Sequence, residues 1–101
     1  MFKVREGIYT VPNFGRIDTR EKLTNDQLLS LYENRHFPFI TITAKAVPFL
    51  KKQKLDIKRV ASLILRAKSV EEVKWLLEVN NKKPLPSIAE IKIKSFESSL
   101  F

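Results

Sequence analysis

The spacing of apolar side chains changes period along this chain, and each change marks an element. In GIYTVPNFGRIDT, Ile8, Tyr9, Thr10 and Val11 favour a pleated conformation, Pro12, Asn13 and Gly15 supply turn geometry, and Arg16-Ile17-Asp18 returns; the pattern predicts a hairpin. Gly15 answers the loop's need for a positive φ. The period then becomes helical. Thr24 and Gln27 have the spacing of a reciprocal cap, and Leu23 and Leu28 that of a hydrophobic staple. Leu28, Leu31 and Tyr32 share one side, which Leu29 widens, before Asn34-Arg35-His36 ends the helix. FPFITIT alternates as a short strand, which Pro38 confines to an edge or a late start. With the hairpin, this predicts a sheet of at most three strands.

After Thr43 the pattern is mostly helical. Pro48 interrupts residues 44 to 53 unless it sits in a first turn, which makes PFLKKQ a separate piece. Asp56 is placed to cap a helix whose buried stripe is Ile57, Val60, Ala61, Ile64 and Ala67, with Leu63 on its border and Lys58, Arg59, Ser62 and Arg66 opposite. Ser69, answered by Glu72, caps a further helix with Val70, Val73, Leu76 and Leu77 on its main face. Residues 56–79 thus form a tight helix-turn-helix-like pair. NNKKPLP reads as a linker. Ser87 and Glu90 repeat the capping pattern, with Pro86 and Ile91 at the staple positions. Ala89, Ile93, Phe96 and Leu100 recur at helical spacing, although AEIKIKS also alternates as a strand would.

The expected fold is therefore α+β. It is one domain over residues 1–101, with a hairpin, helix and short strand in 1–43 and a basic helical part in 44–101. The 101 residues with 44% hydrophobic content suffice for a self-supporting core. The absence of cysteine removes disulfides, thiol nucleophiles and cysteine-ligated metals. No signal-peptide pattern and no 18-residue apolar window is present, so a cytoplasmic protein without membrane attachment is expected.

Charge changes the picture more than composition does. Of the net charge of +8, residues 45–68 carry +7 through eight basic side chains and one acid, Asp56. Lys51, Lys52, Lys54, Lys58, Arg59 and Arg66 are the nucleic-acid candidates, enough for several phosphate contacts. The finer helix-turn-helix pattern departs, however. With Ala61 at the motif's small position, Leu65 falls where the turn usually has glycine, and Glu71 and Lys74 fall at buried positions. Glu71 and Glu72 would face a groove lined with phosphates.

Candidate chemistry is thin. The single histidine, His36, sits in a turn without a partner set, and a lone imidazole without cysteine assembles no zinc shell. Asp18 with Glu21, and Glu71 with Glu72, are the sequential carboxylate pairs; the second is accounted for by the dipole of the helix it opens. The chain is therefore expected not to be an enzyme and to use no metal, cofactor or small-molecule substrate.

Contact with another protein, or with a second copy, is the favoured expectation. Trp75 and Val79 lie off the main face of their helix, so either the C-terminal segment covers Trp75 through Ile93, Phe96 or Leu100, or Trp75 anchors an interface. Leu65, with Phe49 and Leu50, would make an apolar island rimmed by cations. The terminal ESSLF is a mobile end, a lid over Trp75 or a docking segment.

The N-terminal hairpin, LTNDQLLSLYENRHFPFITIT and ILRAKSVEEVKWLLEVNNKK together resemble small accessory proteins encoded in phage and prophage structural modules. Ala67 to Leu77 supply the A-K-S/T-V-E-E helix with which such proteins commonly close. NNKKPLPSIAEI departs from their usual continuation, rich in glutamate and arginine. The resemblance implies a component of a larger assembly, virion-associated where it holds, and carries over no catalytic residue.

Overall fold

Phe2–Val4 (β1) pairs antiparallel with Ile40–Ile42 (β4), Phe2 opposite Ile42 and Val4 opposite Ile40, and Ile8–Val11 (β2) pairs with Gly15–Asp18 (β3), Ile8 opposite Asp18. The structure, a computed structural model, describes residues 1–12 and 14–98; Asn13, Leu100 and most of ESSLF, which carried expectations above, lie outside them. The helices are Asn25–Glu33 (α1), Ala46–Lys52 (α2), Ile57–Leu65 (α3), Val70–Val79 (α4) and Leu85–Ser98 (α5). The α+β class follows directly.

The predicted hairpin is present, and Gly15 takes φ +95°. The late strand does not join it. Residues 40–42 pair instead with the chain start, and bonds from the Arg5 amide to the Phe39 carbonyl (2.8 Å) and from the Thr43 amide to the Met1 carbonyl (2.8 Å) lengthen that ladder. The two strand pairs are joined through Thr19, which is buried. Its hydroxyl accepts from the Gly7 amide (2.9 Å) and donates to the Arg5 carbonyl (2.7 Å), pinning the bend between β1 and β2.

The Thr24, Asp56 and Ser69 caps form as expected, but Glu72 does not answer the Ser69 amide; its carboxylate accepts from the Lys68 amide instead. Thr24 and Gln27 bond reciprocally, Asp56 accepts from the Arg59 amide, and Ser69 accepts from the Glu72 amide. Pro48 lies in the first turn of α2, where the amide it lacks has no intrahelical partner to lose. The Ser87 cap is a correction: α5 begins at Leu85, three residues before the start that cap would set, because Leu85 and Ala89, one turn apart, both enter the core. The alternating AEIKIKS segment is thereby helix.

One continuous core draws on both halves of the chain. Leu31, Phe37, Leu50, Val60, Ile64, Val73, Leu76 and Leu85 are its most deeply enclosed side chains. Within it α4 packs against α2, α3 and α5, while α1 packs on α3 and β4.

Candidate functional site

The basic run divides into two groups once folded. Lys51, Lys52, Lys54 and Lys58 are exposed and, among the described residues, in no ion pair. Arg59 and Arg66 are occupied. The Arg59 guanidinium forks onto Glu33, Nε to Oε1 at 2.7 Å and Nη2 to Oε2 at 2.6 Å. Arg66 Nη2 donates to the carbonyls of Tyr32 (3.2 Å) and Glu33 (3.1 Å). Those carbonyls close α1, where the peptide dipoles leave partial negative charge. Two of the six expected phosphate ligands therefore fasten α3 to α1, which corrects their reading as free cations.

The expected apolar island also needs correction, since Leu50 has no exposed surface. It lies on the inner side of α2, whereas Phe49 is half-buried and meets the Phe2 ring edge-on at 6.1 Å. Leu65 remains open, at 60% exposure. Trp75 and Val79 are both half-buried against the core. At about 100° per residue, Trp75, Val79, Glu72, Leu76, Val73 and Leu77 fill one unbroken arc of α4. The two apolar sides expected of this helix are the two edges of that arc, which α2, α3 and α5 cover between them.

The last turn of α4, with Leu77 from one edge of the arc and Val79 from the other, lines a wide cleft against the start of α3. Its volume is about 810 Å³, and Ile57, Leu77 and Val79 give it apolar surface under Lys54, Lys58 and Lys82. Asp56 and Glu78 also line it; Asp56 is engaged in capping α3. Leu77 continues into a second hollow of about 330 Å³, walled by Pro86, Ala89 and Ile93 of α5.

At the opposite end of the α3–α4 pair lies a cluster that the sequence did not disclose. Glu72, expected to answer the Ser69 cap and to complement the dipole of its helix, is only 2% exposed. Its Oε2 accepts from the Tyr32 hydroxyl at 2.5 Å, and its Oε1 from the Thr41 hydroxyl at 2.9 Å and the Lys68 amide at 3.0 Å. Lys68 Nζ donates to the Ile40 carbonyl at 2.6 Å. Burial, followed by the adjacent Glu72 charge, pushes the Tyr32 phenol far above its ordinary range; burial lowers both Arg66 and Lys68. The signal was present but easily misread, because Glu72 falls inside the apolar arc of its helix.

His36 shares a shallow surface hollow with Glu33, whose carboxylate is held by Arg59. Among the described residues no group of three or more histidine, cysteine or acidic side chains is placed to hold a metal, and no helix is long and apolar enough to cross a membrane. No family model matches the chain, and no curated protein or solved structure matches it.

Proposed function

We propose that this protein works by contact, as a non-enzymatic adaptor or accessory component of a larger protein assembly, of the phage or prophage structural kind that the resemblance suggests. Its docking face is the cleft over Ile57, Leu77 and Val79, and the occupant is a segment of a partner protein bearing both acidic and apolar side chains. The observation that carries this reading is the combination at that cleft: half-buried apolar side chains beneath three lysines, with the buried edge of α4 continuing toward α5. Apolar area supplies affinity, and unpaired ammonium groups steer an acidic segment and set its register. Trp75, one turn before Val79 on the same edge of the arc, is half-buried against the core and supports the helix that forms the wall.

The test is photo-crosslinking in the native cells from a probe at Val79. The expected result is a discrete protein adduct that the Lys54→Glu, Lys58→Glu double variant removes while its thermal unfolding is unchanged. Adducts with nucleic acid alone, or an adduct indifferent to the two lysines, would refute the reading.

The second reading is phosphate-backbone binding, for which the exposed Lys51, Lys52, Lys54 and Lys58 remain suited. Four cations limit the slope of log affinity against log salt to about −3.6 on duplex DNA through this patch. Phe49, beside them in sequence, is half-buried edge-on against Phe2 and offers no open stacking face. Phe39 is stacked on Tyr9 at 5.2 Å and capped by the Arg5 guanidinium at 5.6 Å.

A further inference from the structure

The second site lies where the C-terminal end of α3 meets the N-terminal end of α4, away from the docking cleft. A pocket of about 290 Å³ opens there, lined by apolar groups from Phe37, Pro38, Ile40 and Leu63, and by Tyr32, Arg35, Arg66, Lys68 and Glu72. At ~30 Å³ for each water-sized group, it has room for about ten of them.

The polar groups of the pocket are unequally satisfied. Glu72 has donors on both oxygens, from α1, β4 and the α3–α4 connection, so it organises the wall and has little left to offer a ligand. Arg66 differs. Its Nη2 is bound to α1, yet its Nε is buried and has no hydrogen-bond partner. A buried guanidinium N–H without an acceptor is costly, and native proteins seldom leave one so. Lys68 and Arg35 add two further positive charges, against the single negative charge of Glu72. Arg35 is exposed at the mouth. The pocket is therefore net cationic at one wall and apolar at the other.

We infer that this pocket binds a carboxylate carried on a small apolar body, its charge drawn to the wall of Arg66, Lys68 and Arg35 and its body lying against Phe37, Ile40 and Leu63. Inorganic phosphate matches the charge but leaves that apolar wall uncovered; a neutral apolar molecule leaves the cationic wall without a counter-charge. Burial already disfavours the charged forms of Arg66 and Lys68, and an anion beside them relieves that penalty. Both a free organic acid and the carboxyl end of a peptide carry this chemistry.

The experiment is a titration of the full chain followed by nuclear magnetic resonance at the arginine Nε–H signals. Phenylacetate is expected to shift the Arg66 signal saturably and to bind about tenfold more tightly than phenylacetamide, its uncharged counterpart. Arg35→Gln, which removes an exposed charge and no described hydrogen bond, is expected to weaken phenylacetate about two- to fivefold with unfolding unchanged. N-acetylphenylalanine binding more tightly than phenylacetate assigns the site to a peptide end, and the reverse order to a free acid. Phenylacetamide binding equally well, inorganic phosphate shifting Arg66 as strongly, or no saturable shift at millimolar phenylacetate would each overturn the inference.

Discussion

The Tyr32 hydroxyl donates a 2.5 Å hydrogen bond to the Glu72 carboxylate across 40 residues of chain, with both residues buried. With the Thr41 hydroxyl and the Lys68 amide on the other oxygen, Glu72 joins α1, β4 and the start of α4 at one point. A buried carboxylate persists only when its lone pairs are filled, and here three elements fill them.

Glu72→Gln should therefore destabilise the protein by about 2–3 kcal/mol although it preserves shape. The amide nitrogen would face a donor, and one of the three hydrogen bonds must be lost or reversed. Urea unfolding monitored by Trp75 fluorescence measures the change. A cost within error of zero would mean that the cluster contributes nothing to the fold.

Alkali should weaken the fold through Tyr32. Its phenol is held well above the ordinary value of 10.0, chiefly by burial and then by the Glu72 charge, so the unfolded chain loses that proton first. The contribution is complete below pH 10 and declines above it, by about 1.4 kcal/mol per pH unit. Lys68, lowered by burial, acts with the opposite sign, but only below its ordinary value of 10.5. Unfolding free energies compared above that value should fall more steeply with pH for the wild type than for Tyr32→Phe. Parallel slopes would contradict the assignment.

Lys54 has φ +51°, just beyond α2, in the left-handed region where a Cβ is crowded. Lys54→Gly should raise stability by about 0.5 kcal/mol, the relieved strain outweighing the greater freedom that glycine gives the unfolded chain. The same substitution removes one lysine from the docking cleft. Stability and partner binding should accordingly move in opposite directions, the first read by thermal unfolding and the second by loss of the Val79 crosslink.

Much of the local architecture was legible in the residues themselves. Thr24 with Gln27, Asp56 and Ser69 capped the helices they were expected to cap, because a cap is a contact between residues three apart. Gly15 took the positive φ of its turn for an equally local reason. The period of Val60 and Ile64 correctly marked the inner side of α3, and Ala67 just beyond its end is buried as well.

Tertiary structure alone decided the rest. Which strand Ile40–Ile42 joins depends on where α1 delivers the chain, and the first five residues took the place that the hairpin was expected to hold. The sequence assigned charge by residue type and local position, so Arg59 and Arg66 were read as free cations and Glu72 as a cap and dipole partner of its own helix. Whether a charged group meets water or a partner is settled by elements far along the chain: Tyr32 and Thr41 for Glu72, Glu33 for Arg59, and the end of α1 for Arg66. Local composition fixes where helices start and which side is apolar; only packing determines which charges are spent on holding the helices together and which are left for a partner.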